Sequence, residues 1–166
     1  MKFKQNEESE KVEMSNPLEE GFIDLIQFEI TKLNLISSAK CYFYKNGLMD
    51  YKKFFKTLYK NCEEIKHCLI AFVTENGTEL PEFKIPEAIV FSNIKEPFEK
   101  LAKMEDVFEE KLLKLIDIAF ENKDWKAFHY LLKKLDTIDH ICCRALAAVE
   151  NNANVLALCE QHITEK

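Results

Sequence analysis

Apolar positions recur at intervals of three and four residues in four long stretches of the chain. That is the period of one buried face of an α-helix. The first stretch, residues 18–46, carries Phe22, Leu25, Ile26, Leu33, Ile36 and Phe43. Asn46-Gly47 stops it, with Gly47 suited to the left-handed turn that follows a helix. The second, residues 50–75, carries Phe55, Leu58, Cys62, Ile65, Leu69 and Phe72 and stops at Asn76-Gly77. The third, residues 95–122, opens with Pro97 in its first turn and carries Leu101, Phe108, Leu112, Leu115 and Ala119. The fourth begins near Trp125 and carries Phe128, Leu131, Leu135, Ile138, Cys142 and Ala145. After Asn151-Asn152-Ala153-Asn154, a short fifth helix over residues 155–164 is predicted, with Asn154 as its N-cap.

The links between these stretches set the topology. Helices one and two, and helices three and four, are joined by a few residues, so each pair is antiparallel. Residues 78–93 form a long connection with Pro81, Pro86 and the extended apolar piece Ile89-Val90-Phe91. One long crossover between two helical pairs predicts an all-α four-helix bundle with one long crossover and a short fifth C-terminal helix. A cytokine-like bundle would need a second long crossover. With only 3 Gly and 4 Pro, an antiparallel sheet protein lacks its turns. Residues 1–17 are polar, mostly acidic and aperiodic, and are expected to be a flexible tail ahead of one domain over residues 18–166.

A formal net charge of −6 gives no footprint for nucleic acid, and the tail holds more Glu than Lys. No apolar run is long enough to span a bilayer, so no membrane partner is expected. No export signal precedes the domain, and the 6 cysteines lie in helical stretches without a paired-loop pattern. They are expected to be reduced thiols in a cytoplasmic protein.

Two apolar stripes are each interrupted by one acid. Glu29 falls between Ile26 and Leu33, and Glu105 between Leu101 and Phe108. A carboxylate in a bundle core is costly unless it is paired, hydrogen-bonded or metal-bound. The bland alternative places both heads at a solvated rim.

Several segments resemble the ferritin family: Phe28-Glu29-Ile30, Thr74-Glu75-Asn76-Gly77, Phe98 to Glu105 with Lys103-Met104-Glu105, and Asn122-Lys123-Asp124-Trp125-Lys126-Ala127-Phe128. The resemblance covers residue 18 to the C-terminus. It implies a ferritin-like bundle, iron as the metal handled, and assembly of identical subunits into a 24-subunit cage whose four-fold channel is ringed by the fifth helix. Glu29 and Glu105 match the family's two single glutamate ligands. The other positions depart from its di-iron pattern. The Glu-x-x-His pair of the second helix falls on Cys62 and Ile65, the fourth-helix ligands on Ile138 and Ile141, and the neighbouring Tyr on Ile36. Glu29, Glu105 and Cys62 are therefore expected as a residual core site, too poor in ligands for two iron ions. Cys142-Cys143 suggests thiolate metal chemistry, but Cys142 falls on the core stripe, and simple packing is the other account of it and of Cys62.

Glu64-Ile65-Lys66-His67 is itself a Glu-x-x-His, but placing it in the core would turn Cys62, Ile65 and Leu69 out of it. Glu64 and His67 instead match family positions facing the cage interior. Asp136 and His140, one helical turn apart, occupy a similar flank of the fourth helix. These residues could seed ferric mineral or be ordinary surface groups. His162 in the fifth helix could line the channel or face solvent. The implied function is an iron-storing or iron-detoxifying subunit with little conventional iron-oxidising activity. A ferritin-fold scaffold that has lost iron handling is the competing expectation. A DNA-binding mini-ferritin fits poorly, because that type lacks the final short helix.

Overall fold

The computed structural model describes residues 13–138 and 140–150 of the chain. Five helices are present among them: α1 (Asn16–Lys45), α2 (Met49–Glu75), α3 (Lys95–Glu121), α4 (Trp125–Leu135) and α5 (Ile141–Glu150). The described residues contain no strand, and no helix among them is long and apolar enough to cross a membrane. α1 packs on α2 and α3, and α3 also packs on α4 and α5. This is the ferritin-like four-helix bundle with one crossover, in which α4 and α5 share the fourth position.

Three helix ends use one device. At Gly47 (φ +71°), Gly77 (φ +86°) and Lys123 (φ +57°) the chain enters the left-handed region. The following residue then donates back to the carbonyl of the last turn: Leu48 to Phe43, Thr78 to Val73, Asp124 to Ala119. This is the Schellman motif, and it satisfies carbonyls that a helix end leaves open. Just before each turn, an asparagine (Asn46, Asn76, Asn122) donates its side-chain amide four residues back, to Tyr42, Phe72 and Ile118.

The crossover runs along α1 and is stapled to it by polar side chains. Gln27 exchanges two 2.9 Å hydrogen bonds with the backbone of Lys84. Asn34 donates to the Glu87 carbonyl, and the Ser38 hydroxyl accepts from the Ile89 amide. These contacts explain the polar positions on that face of α1. The Ile89-Val90-Phe91 piece anchors through Phe91, which is buried, while Val90 stays exposed. Asn93 then accepts from the amides of Lys95 and Glu96, and Glu96 accepts in return from the Ser92 amide, starting α3.

Two boundaries differ from expectation. α1 begins at Asn16, and Met14 ahead of it is already buried. The fourth helix is not continuous: α4 ends at Leu135 and α5 starts at Ile141. The connecting residues Asp136, Thr137, Ile138 and His140 are weak helix formers. The Thr137 hydroxyl takes the Lys134 carbonyl at 2.7 Å, and His140 adopts a left-handed φ of +48°. The short helix expected over residues 155–164, with His162, lies outside the described residues, as do residues 1–12 of the tail.

Candidate metal centre

The core has two apolar halves. One gathers Leu33, Ile36, Phe43, Phe54, Phe55 and Phe98, and the other Phe22, Ile26, Leu69, Phe72, Leu112 and Leu131. Along α1 the change from one half to the other falls at Glu29, and along α3 between Ala102 and Phe108, where Glu105 stands. The acids that interrupt the stripes thus mark a polar layer at mid-bundle.

Glu29 is fully buried. Its Oε1 is 3.2 Å from Lys32 Nζ, and its Oε2 accepts from the Cys62 thiol at 2.7 Å. Lys32 stands three residues further along the same helical face and stretches into the layer, with its Nζ over the Phe108 ring, 5.1 Å from the centroid. Burial by itself would lower the Lys32 pKa, but the charge of Glu29, with Cys62, a hydrogen bond and Glu105 behind it, raises it above the ordinary lysine range. The Cys62 thiol is pushed well above its usual range, first by burial and then by the Glu29 carboxylate, with Lys32 pulling the other way. The layer therefore holds a carboxylate, an ammonium and a neutral thiol.

A cavity of about 100 Å³ opens beside this layer. Ile36, Ile65, Ile138 and Ile141 all line it, together with Lys32, Cys62 and Glu105. The four isoleucines that the sequence resemblance sets on the family's Tyr, His and fourth-helix ligand positions thus face one space. Glu64 and His67 are exposed while Cys62 is buried, so α2 presents the face expected of it.

Glu105 is only partly buried and looks toward α5. Glu105, His140 and Cys143 each offer a donor atom within 4.8 Å of the others. His140 Nε2 lies 3.0 Å from Glu109 Oε2, and Nδ1 lies 3.8 Å from Asp106 Oδ1. The Cys143 thiol is pushed up to about 11, by burial first and then by the charges of Glu105 and Asp106. It also approaches the Ala102 carbonyl at 3.9 Å. Asp136 is exposed beyond the end of α4, so the helical face that Asp136 and His140 were expected to share is interrupted. The side chain of Cys142 lies outside the described residues.

Two residues of this region escape a reading of the stripes. Lys32 stands i, i+3 from an acid on a core face, a spacing that an ordinary solvated pair shares. Cys143 is marked in the sequence only by the adjacent thiols of Cys142-Cys143, because its approach to Glu105 depends on where α5 begins.

A family model described as a ferritin-like domain matches residues 22–141, and the chain belongs to the ferritin family. Sequence comparison with curated proteins finds no significant match. Among solved structures, an open-pore ferritin from the hyperthermophilic archaeon Archaeoglobus fulgidus aligns with a TM-score of 0.70 at 20% identity, over 89% of this chain and 85% of that one. A humanized archaeal ferritin aligns at 0.68 and 21%, over 89% and 85%. A variant of PmFTN soaked in iron aligns at 0.70 and 15%, over 87% of this chain and 98% of that one. At these identities the likeness is one of fold.

Proposed function

We propose that the chain is an iron-storage or iron-detoxifying subunit of a homo-oligomeric ferritin shell, one that takes up iron without a conventional di-iron oxidation centre. The observation that carries the second half is the ammonium of Lys32 on the buried carboxylate of Glu29. An iron pair requires several anionic oxygen or imidazole ligands and open positions for oxygen. Here Glu29 is neutralised by a lysine, Glu105 is kept, a neutral thiol stands at a third ligand position, and isoleucines stand at the others. The donors present do not fit two iron ions. A cation arriving there would have to expel Lys32 against its own charge.

Membership of the ferritin family supports the first half. Assembly draws further support from exposed aromatic surface: Phe120 and Trp125 stack edge-on at the α3–α4 turn with Phe128 beside them. Clustered exposed rings of this kind favour contact with another subunit. A closed cage of 24 copies is the assembly this reading expects. Iron would then be gathered by exposed carboxylates and imidazoles, with Glu64 and His67 on α2 and Asp136 beyond α4 as the assigned nucleation groups.

The test is the solution mass of the purified chain with its iron content in the same fraction, followed by iron(II) loading. Storage predicts a large shell carrying iron, slow oxidation, and slower mineral growth in the Glu64→Ala, His67→Ala variant. Unchanged loading in that variant removes Glu64 and His67 from the assignment. A monomer or dimer without iron favours a ferritin-fold scaffold instead, a reading that the Glu29–Lys32 pair also accommodates.

A further inference from the structure

We infer that Glu105, His140 and Cys143 form a site for one divalent transition-metal ion of the zinc class, pinning the start of α5 to α3. Only Glu105 is shared with the di-iron pattern; His140 and Cys143 lie outside it, and the site stands whether or not the chain stores iron.

The chemistry of the donors selects the ion. One carboxylate oxygen, one imidazole nitrogen and one thiolate sulfur suit zinc(II) and its stand-in cobalt(II). Calcium takes about six to eight oxygens and magnesium an octahedron of them, so neither fits a set with one carboxylate. Two anionic ligands and one neutral imidazole would leave a divalent ion electrically balanced.

The geometry is close to that of a bound site. Zinc bonds of about 2.0–2.3 Å in a tetrahedron place ligand atoms roughly 3.3–3.8 Å apart. The donors lie within 4.8 Å of one another, and shifts of about 1 Å in three side chains close the gap. The imidazole is already supported from outside. Glu109 stands against Nε2 and Asp106 toward Nδ1, so whichever nitrogen turns to the ion, the other has a carboxylate to hold it. Room for the fourth ligand exists as well. Glu105 and His140 both line the 100 Å³ cavity at mid-bundle, and about 15 Å³ of such space suffices for a water.

The break between α4 and α5 is what assembles the set. In an unbroken helix His140 would share a face with Asp136. With φ at +48° the chain turns His140 toward α3 and brings Cys143 over Ala102 and Glu105.

The experiment titrates cobalt(II) into the full-length, metal-free chain and follows thiolate-to-cobalt charge-transfer absorption. The expected result is a band that saturates at one equivalent. It disappears in Cys143→Ser and in His140→Asn, an asparagine being able to hold the left-handed backbone. It survives in Cys62→Ser. A second measurement uses the unaltered chain and does not depend on any variant folding. One equivalent of zinc should slow alkylation of Cys143, read by peptide mass, while the exposed Cys41 and Cys68 react as before. No band, a band that survives Cys143→Ser, or a Cys143 alkylation rate indifferent to zinc overturns the site.

Discussion

The ammonium of Lys32 lies 3.2 Å from Oε1 of Glu29, a carboxylate with no exposure to solvent. The pair is held on one helix, so neither member can leave without unwinding α1 or swinging Lys32 out past Phe108. Breaking a buried pair leaves one charge uncompensated and costs about 3–5 kcal/mol, whereas replacing both members with apolar groups is close to neutral. Lys32→Ala is therefore expected to lower stability by about 3 kcal/mol or more. The double replacement Glu29→Leu, Lys32→Leu should recover most of that loss. Urea unfolding at constant slope measures both. A Lys32→Ala variant as stable as the parent would show that Glu29 does not depend on the lysine.

Cys62 makes stability fall at alkaline pH. Its thiol is held protonated in the native core by burial and by Glu29, well above the pH at which a free thiol ionises. The contribution is fully present below about pH 8.5, where the thiol of the unfolded chain is protonated too. Above that, unfolding releases a proton, and stability declines by about 1.4 kcal/mol per pH unit from this group. Cys143, pushed up to about 11, acts in the same direction and leaves a residual slope. Unfolding free energies of the parent and Cys62→Ala between about pH 8 and pH 10 should diverge in slope. Parallel lines would contradict the assignment.

The stripes of α1, α2 and α3 were legible because each apolar face is bounded by a strong stop, Asn46-Gly47, Asn76-Gly77 or Asn122. Glu29 was legible because a carboxylate inside such a stripe is an expensive exception. Lys32 was not, since a lysine one turn from an acid reads as a solvated pair unless the acid's burial is known. The break at residues 136–140 was hidden for a different reason. Leu131, Leu135, Ile138, Ile141 and Ala145 keep helical intervals across it, because the chain continues down the same groove of α3 on both sides. The grouping of Glu105, His140 and Cys143 depends on that break, and an apolar stripe that runs on across it carries no sign of the grouping.

Lys123 occupies a turn position that glycine fills at Gly47 and Gly77. Its φ of +57° puts a β-carbon in the left-handed region, at a cost of about 1–2 kcal/mol. The side chain is exposed, so little packing is lost on its removal. Lys123→Gly is expected to stabilise by about 0.5–1 kcal/mol, after the greater freedom of glycine in the unfolded chain is counted. A thermal midpoint at or below the parent's would mean that Lys123 makes a compensating contact at the α3–α4 turn.

Rebuilding an oxidation centre tests whether Lys32, and not only the missing ligands, keeps iron out of the layer. Cys62→Glu with Ile65→His restores the family's ligand types on α2, at positions that already face the cavity with Glu105. With Lys32 retained, the new carboxylate gives the ammonium a second partner, and the layer stays electrically satisfied without a metal. With Lys32→Leu added, two glutamates and a histidine face the cavity with the buried Glu29 beside them, and the ammonium that pairs with Glu29 is gone. Burying that much negative charge is tolerable only with cations bound. Iron(II) oxidation by dissolved oxygen, followed at low iron per subunit, is therefore expected to rise by about tenfold or more in the triple variant and little in the double. Circular dichroism confirms that each variant keeps its helices. Equal acceleration in both would show that Lys32 moves aside freely, leaving the isoleucines and the thiol as the whole barrier to iron. Acceleration only without Lys32 would identify the lysine as the cation that stands in iron's place.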